Sequence, residues 1–286
     1  MPGPICEPAS GFAFGWGFGH PGQQQIQRRF TSYTGCMYSS AMDVLTRPAP
    51  GPCIFWLSDT HLGFDYPLRR PPTLTDRGPD FFANFEHVLD QALAQGADAL
   101  LHTGDVFFRS RVHPSIVDRA YAALLRVADV MPVILLPGNH ERSALPPSLF
   151  FNHPNLHIFD TPRTFVIRLG DMNVAFTGMP FTRKVQPAFA THLRAAAPVT
   201  NADARYLCLH QSIEGAVVGP SEYHFSASDP EVIPTSLVPT GFDGVLVGHI
   251  HRHQVLAAPS PVIFCGSTER TSFAEADETK GYCKLF

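Results

Sequence analysis

Five short polar motifs carry the residues of this sequence that could do chemistry. Each follows directly on an apolar run typical of a strand. The motifs are Asp59-Thr60-His61, Gly104-Asp105, Gly138-Asn139-His140-Glu141, His210 and Gly248-His249-Ile250-His251. Carboxylate oxygen, amide oxygen and imidazole nitrogen together suit Mn²⁺, Fe²⁺ or Zn²⁺, whereas the lack of cysteine in these motifs argues against a structural zinc site. The motifs therefore predict a metal site built from oxygen and nitrogen donors.

The spacing inside the motifs supports this prediction. Alternate residues of an extended segment point to the same side, so Asp59 with His61, and His249 with His251, could each hold one ion. A glycine precedes the polar residue in three motifs. We expect it to allow a sharp turn at the strand end and to leave an ion or a phosphate room to approach.

Each motif taken alone also has an ordinary structural explanation. Asp-x-His and Gly-Asp are common in loops, and a histidine such as His210 in a buried strand is more often a satisfied core residue. Five such motifs in succession, all at strand ends, would require chance placement five times. We therefore favour one shared functional site.

The elements that must position the motifs follow from hydrophobic periodicity. From Cys53 onward, strand-like runs at 53–57, 99–101 and 133–136 alternate with helical patterns at 80–95 and from Pro114 onward, which predicts an α/β architecture. We expect Asp80 to cap the first helix. Residues beyond the carboxyl ends of such strands gather in one crevice, so the motifs are expected to meet there.

The second half of the chain predicts antiparallel pairing as well. Apolar runs at 164–169 and 173–176 flank Gly170-Asp171, which indicates a hairpin. Further strands are expected at 206–209, 244–247, 262–264 and 282–285, with a helix near 187–196. This list completes the predicted domain, residues 53–286.

Residues 1–52 differ in composition from the rest. They are rich in Gly, Pro, Ser and Gln and show no sustained period, which predicts a disordered tail, with Met37 or Met42 as an alternative start. The alternative interpretation is a partner-binding arm that uses Phe12, Phe14, Trp16 and Phe18.

Composition limits the class of protein. The 286 residues are 44% hydrophobic and carry a net charge of −4, so any basic surface for nucleic acid must be local. Six cysteines without a CxxC pair predict buried thiols in a reducing compartment. Export and membrane-spanning signals are lacking in the sequence, so we expect a cytoplasmic protein without membrane contact.

The five motifs resemble those of the calcineurin-like metallophosphoesterases, which run DxH, GD, GNH(D/E), H and GHxH. The resemblance covers residues 54–286. Segments 58–63 and 247–251, and segment 266–273 followed by 278–282, look like the SbcD and Mre11 branch of DNA-repair nucleases. The resemblance implies a four-layer α-β-β-α sandwich of two mixed sheets with flanking helices.

The resemblance also implies roles for single residues. Asp105 would bridge two divalent ions, with Mn²⁺ expected and Fe²⁺ or Zn²⁺ as alternatives, and His140 would be catalytic, donating a proton to the leaving oxygen or stabilising its charge. One ion would be held by Asp59, His61 and His251, and the other by Asn139, His210 and His249.

Two features depart from that branch. Phe108 stands where the branch usually has His or Asp, so an accessory role in positioning the substrate or His140 is expected to be missing. The sequence also ends at Phe286, before the small DNA-capping domain of the larger members. We therefore expect no C-terminal capping domain in this chain.

The substrate is less clearly predicted. Arginines follow several motifs and could contact phosphates, although surface loops simply need charge, and we weigh the two explanations evenly. The arginines predicted to bind substrate are Arg109, Arg142, Arg252 and Arg270.

Three functions stay open at this point. The first is a DNA exonuclease or endonuclease in repair, with DNA, a second copy of the chain and an SMC-like ATPase as partners on the strength of the resemblance. The second is a phosphatase or phosphodiesterase for a small molecule or a protein. The third is a nonhydrolytic interaction module, against which the complete set of proposed ligands argues.

Overall fold

The computed structural model describes residues 51–64, 77–141, 145 and 153–286. The predicted tail therefore lies outside the described residues except for its last two positions. All of the described residues belong to one compact unit, Cys36–Phe286.

The secondary structure alternates strands and helices in the first half of this unit. In the ranges that the structure describes, the helices are α1 (Gly78–Ala94), α2 (Pro114–Ala128) and α3 (Val185–Ala195), with 3₁₀ turns at Thr235–Leu237 and Phe273–Glu275. The strands are β1 (Ile54–Leu57), β2 (Ala99–His102), β3 (Val133–Leu135), β4 (Leu156–Ile158), β5 (Arg163–Leu169), β6 (Met172–Gly178), β7 (Ala204–His210), β8 (Ser212–Ile213), β9 (Val217–Val218), β10 (Tyr223–His224), β11 (Val232–Ile233), β12 (Gly244–Gly248), β13 (Gln254–Leu256), β14 (Val262–Phe264) and β15 (Cys283–Leu285).

Two large mixed sheets form the body of the domain. The first has the order β15-β1-β2-β3-β4, with β1 to β4 parallel and β15 antiparallel to β1. The second has the order β13-β14-β12-β7-β6-β5, with a parallel centre and antiparallel pairs at both edges. The predicted βαβαβ start and the hairpin around Gly170 are both confirmed. The short strands β8 to β11 were not predicted, because two residues show no period.

The helices form where apolar side chains recur at helical spacing. In α1, residues such as Phe81, Phe85 and Leu89 are fully buried against the first sheet, and each buried side chain of this size contributes about 1.5–3 kcal/mol. The prediction that Asp80 caps α1 is wrong. The helix begins after Arg77 without a side-chain cap, and Asp80 lies in its first turn, where its charge is favourable to the helix dipole.

The layers follow from which side of each strand is covered. Phe55 and Leu57 of β1 pack with α1 and α2 in one cluster, and Leu207 and Leu209 of β7 pack with α3 in another. The alternate residue Trp56 is fully buried but does not belong to the cluster with α1 and α2, and its carbonyl oxygen accepts from the thiol of Cys265, directly after β14 of the second sheet. The four-layer α-β-β-α sandwich is therefore confirmed.

Two further predictions concern the whole domain. The cysteines of the described ranges are all buried, as expected: Cys53, Cys208, Cys265 and Cys283. None of the helices that the structure describes has the length and apolarity needed to cross a bilayer.

Candidate metal centre

The five polar motifs lie at the carboxyl ends of β1, β2, β3, β7 and β12. The loops after β1 and β2 stay paired beyond the sheet, because the N–H groups of Asp59 and His61 donate to the carbonyl oxygens of Gly104 and Asp105 at 2.9 and 3.0 Å. This pairing brings the first two motifs side by side.

The backbone after β1, β2 and β12 is bent into the left-handed region. The φ angle is 52° at Asp59, 45° at His61, 54° at Asp105 and 80° at His249. Such a conformation costs about 1–3 kcal/mol for each residue that is not glycine. The expectation of an extended Asp-x-His segment is therefore wrong. The chain bends in this way after β1, β2 and β12, and these bends turn the side chains towards one point.

One group of donors surrounds His251. Its Nε2 lies 2.9 Å from Nε2 of His61 and 3.9 Å from Oδ1 of Asp59. One ligand atom from each of these residues lies within 4.8 Å of the other two. The two imidazoles and the carboxylate could thus hold one metal ion.

A second group surrounds Asn139. Its Oδ1 lies 2.9 Å from Nδ1 of His249 and 3.0 Å from Nε2 of His210. Oδ2 of Asp105 lies between the groups, at 3.4 Å from Nε2 of His210 and 4.0 Å from Nε2 of His61. The structure therefore brings all seven predicted ligand residues together, with Asp105 in the central position.

The donor set fits divalent cations. Nδ1 of His210 donates to the carbonyl oxygen of Thr103 at 2.7 Å, so Nε2 faces the oxygens of Asn139 and Asp105 and, once deprotonated, can present its lone pair to a cation between them. Asp59 and Asp105 are buried, and in the part of the chain that the structure describes their ion-pair partners within 4 Å are all histidines. A cation between these groups would supply the missing positive charge.

The pKa values of the site residues also indicate a shortage of positive charge. Burial raises the pKa of Asp59. Burial opposes protonation of His210, but the charge and hydrogen bond of Asp105 outweigh it and raise the pKa of His210 to about 9. Burial lowers the pKa of His61 well below its ordinary value and that of His249 to about 3. Without a metal, the raised pKa values of His210 and His251 favour protonation of these two residues, whereas His61 and His249 are neutral.

His140 lies at the edge of the site. Its N–H donates to Oδ1 of Asp105 at 2.9 Å, and its Nε2 lies 3.8 Å from Oδ2 of the same residue. Its Nδ1 donates to the carbonyl oxygen of Phe108. The side chain is 32% exposed, so Nε2 can reach a group that enters from solvent. The Phe108 side chain lacks the polar group of the nuclease branch, as expected, but the Phe108 main chain orients the imidazole of His140.

The glycines of two motifs leave space for neighbouring side chains. A Cβ on Gly104 would overlap the imidazole of His210, and a Cβ on Gly138 would overlap the carboxylate of Asp105. The prediction that these glycines leave room for an ion or a phosphate is wrong in this respect. The space is filled by side chains of the site itself.

Sequence reasoning missed two buried residues that hold the loops. His102, at the end of β2, accepts from the Gly104 N–H at 3.2 Å, and its Nε2 donates to Thr60 at 3.0 Å. Burial lowers the pKa of His102 to about 3, which keeps it neutral. The position of His102 two residues before Gly104 was the sequence signal from which its role could have been predicted.

Glu141 joins the loops of the second and third motifs. Its two carboxylate oxygens accept from the N–H groups of Phe107 and Gly138 at 2.6 and 2.8 Å. Burial, with the charge of Asp105, raises the pKa of Glu141 to about 8. Glu141 had been noted in its motif without a role, and its acidic type at a buried loop was the only signal.

The predicted substrate-binding arginines have different surroundings. Arg109 stacks on the ring of Phe108 at 5.4 Å, and that ring lies 5.5 Å from the imidazole of His140. The guanidinium of Arg252 contacts Glu278 and Gly219, and that of Arg270 donates to three backbone carbonyls at 275–278. These contacts give Arg252 and Arg270 a structural role and leave their substrate contacts a prediction. Arg142 lies outside the described residues.

Comparisons with known proteins give named relatives. The chain is similar to the DNA double-strand break repair protein Mre11 of Saccharolobus solfataricus, with 24% identity over 241 residues, which cover 81% of this chain and 58% of that protein. It is 28% identical to the Mre11 protein of Aeropyrum pernix over 232 residues, which cover 75% of this chain and 53% of that one. The chain thus spans little more than half the length of these relatives.

Among solved structures, the chain is similar to TT1561 of Thermus thermophilus, with 13% identity, a TM-score of 0.48 and coverage of 76% of this chain and 89% of that one.

The family model described as calcineurin-like phosphoesterase matches residues 54–253, a range that includes all seven converging donors. Proteins of this family use a pair of divalent metal ions. Because the match extends over more than half of the sequence, the chain belongs to the calcineurin-like phosphoesterase family.

Proposed function

We propose that this protein is a two-metal phosphoesterase that hydrolyses phosphodiester bonds, with DNA as its substrate. The observation that carries the proposal is the convergence of seven oxygen and nitrogen donors from five strand ends around Asp105. We assign Asp105 as the bridge. Asp59, His61 and His251 would hold one ion, and Asn139, His210 and His249 the other.

The protein's own residues prepare this site. Bound divalent ions would activate a water molecule and stabilise negative charge on the phosphate. The hydrogen bond from His210 to Thr103 directs Nε2 of the imidazole inwards, and the hydrogen bond from the His249 N–H to Asp59 at 3.1 Å fixes the loop after β12. Side chains held in this way need little reorganisation during the reaction.

His140 is the residue that we assign to the leaving group. Its Nδ1 is bound to Phe108, so its Nε2 carries the proton in the cationic form and can donate it towards the site. Its Nε2 lies 3.8 Å from Oδ2 of Asp105, close enough to share an ion with His61 and Asp105, and we assign it to the leaving group instead of to the metal.

DNA is supported as substrate by the relatives, which are named as DNA double-strand break repair proteins, and by Arg109 beside His140. A smaller phosphoester is the second candidate, because the guanidiniums of Arg252 and Arg270 are bound inside the protein instead of forming a basic track. The net charge of −4 also favours that candidate.

The test is hydrolysis by the purified protein with Mn²⁺, Fe²⁺, Zn²⁺ or Mg²⁺. Single-stranded and duplex DNA, bis-p-nitrophenyl phosphate and p-nitrophenyl phosphate are offered side by side, with Asn139→Ala as the variant that removes a ligand. We expect Mn²⁺-dependent cleavage of DNA and its loss in the variant. Hydrolysis that is equal in wild type and variant would remove the assigned mechanism, and cleavage of the aryl esters alone would favour the second candidate.

Three proposals rest on the resemblance and on composition. We propose a homodimer, an SMC-like ATPase as partner and a cytoplasmic location. Light scattering on the eluting protein tests the dimer, and a monomer at micromolar concentration would contradict it.

A further inference from the structure

His251 makes a second contact on the side of its imidazole that faces away from the other donors. Nε2 faces His61 and Asp59, whereas Nδ1 lies 3.1 Å from Oε1 of Glu275. The His251 side chain is 22% exposed, so surrounding packing holds it less tightly than the fully enclosed His210. Its orientation therefore depends more on this contact.

Glu275 is itself held from both sides. Oε1 accepts from the Thr271 hydroxyl at 2.6 Å, and Oε2 pairs with Nζ of Lys280 at 2.7 Å. Lys280 is 5% exposed and also donates to the carbonyl oxygen of His251 at 2.9 Å. Lys280 thus joins the carboxylate of Glu275 to the backbone of His251.

The turn that carries Glu275 is held as well. Glu275 is the last residue of the 3₁₀ turn Phe273–Glu275. The guanidinium of Arg270 donates to the carbonyl oxygens of Glu275, Ala276 and Glu278 at 2.8–3.1 Å. Three residues of the segment from 266 to 282, Arg270, Thr271 and Lys280, thereby support one carboxylate next to the site.

The chemistry of imidazole gives this support a consequence. A carboxylate only accepts hydrogen bonds, so beside Nδ1 it selects the form of histidine with the proton on Nδ1. That form leaves the lone pair on Nε2, the atom that faces Asp59 and His61. Carboxylates that orient metal-binding histidines in this way typically contribute 10–100-fold to metal affinity.

We propose that Glu275 is a positioning residue that sets the proton of His251 on Nδ1 and thereby prepares Nε2 to bind one of the two metal ions. This inference rests on the proposed function, because the ion belongs to the proposed centre. Lys280 and Thr271 keep the Glu275 carboxylate in place.

The experiment is a titration of the metal-free protein with Mn²⁺, in which free Mn²⁺ is measured by electron paramagnetic resonance. For Glu275→Ala we expect one of the two Mn²⁺ sites to weaken about 10–100-fold and the other to keep its affinity. The matched control is Glu269→Ala in the same segment. Glu269 pairs with Arg77 at 2.9 Å and accepts from Asn84 at 2.9 Å, but contacts none of the proposed ligands, so both sites are expected to stay unchanged.

A second variant keeps the proposal testable if Glu275→Ala does not fold. Glu275→Gln keeps the size of the side chain and one acceptor oxygen but removes the charge, and we expect a loss of Mn²⁺ affinity smaller than in the alanine variant. ¹⁵N NMR of the metal-free protein, recorded at a pH at which the His251 imidazole is neutral, reports its tautomer directly. We expect the Nδ1–H form in the wild type and a mixture of tautomers in Glu275→Ala.

The outcomes separate the two proposals. Wild-type protein that binds no pair of Mn²⁺ ions contradicts the proposed function. Wild type that binds two ions, with both Glu275 variants that fold binding them equally well, overturns the role of Glu275 alone. Equal weakening by Glu269→Ala would also overturn it, because the effect would then be general to the segment.

Discussion

The imidazole of His210 donates Nδ1–H to the carbonyl oxygen of Thr103 at 2.7 Å. This bond fixes which nitrogen faces the proposed metal centre, and it couples metal binding to the protonation of His210. In the metal-free protein, the charge of Asp105 overcomes burial and raises the pKa of His210 to about 9, above its ordinary value of 6.5.

The first prediction is that Mn²⁺ affinity increases from pH 6.5 to pH 9. The proton on His210 stabilises the metal-free fold fully below about pH 6.5, and this stabilisation is lost as pH rises through about 9. Mn²⁺ must displace that proton from Nε2, so its binding releases protons. Calorimetry in buffers of different ionisation enthalpy measures the release. An affinity that stays flat over this range would contradict the assigned role of His210.

The second prediction concerns catalysis by His140. We expect His140→Gln to lower kcat by about 10²–10⁴-fold, because a general acid is lost, and to leave Mn²⁺ binding unchanged, because His140 is not a proposed ligand. His87, exposed on α1, provides the control variant His87→Gln, for which both quantities are expected to match the wild type. A His140→Gln enzyme with full kcat would remove His140 from the mechanism.

The third prediction concerns two glycines with positive φ. Gly104 has φ 107°, and a Cβ added there would overlap His210. Gly170 has φ 58°, and a Cβ added there would meet no atom within 4 Å. We expect Gly170→Ala to cost about 1–2 kcal/mol from backbone strain alone. Gly104→Ala is expected to cost more and to abolish binding of one Mn²⁺ ion. Urea unfolding and Mn²⁺ titration measure the two effects, and equal costs at both positions would contradict the close packing at Gly104.

The fourth prediction concerns the buried carboxylate of Glu141. Glu141→Ala leaves the N–H groups of Phe107 and Gly138 without acceptors, and each unsatisfied buried group costs about 1–3 kcal/mol. The control is Glu86→Ala, which removes a partly exposed pair with Arg119 and is expected to cost less than about 1 kcal/mol. The free energy of unfolding in urea compares them, and a loss as small as that of Glu86→Ala would show that Glu141 does not hold the loops.

The fifth prediction tests DNA contact by Arg109. If this guanidinium binds a backbone phosphate, Arg109→Gln weakens DNA binding and reduces the slope of log affinity against log salt by about 1. Arg168→Gln, in the hairpin of β5 and β6, is the control with no expected change. Fluorescence anisotropy with labelled DNA at several salt concentrations measures the slopes. Equal slopes in both variants would remove Arg109 from the substrate site.

The sequence by itself determined the main strands, the helices and the types of donor at the site. These features are local: the period of apolar residues marks β1, α1 and β2, and each polar motif stands directly after its strand. Because parallel strands end at one edge of a sheet, the convergence of Asp59, Asp105 and Asn139 could be predicted without coordinates.

Only the tertiary structure decided how those donors are held. The contact of Glu275 with His251 joins two loops, and that of Glu141 with Phe107 joins loops after different strands. The space beside Gly104 belongs to His210, more than one hundred positions away. Such contacts depend on backbone bends with positive φ at Asp59, His61, Asp105 and His249. Local pattern does not encode these bends, because only the packing of the finished fold offsets their strain.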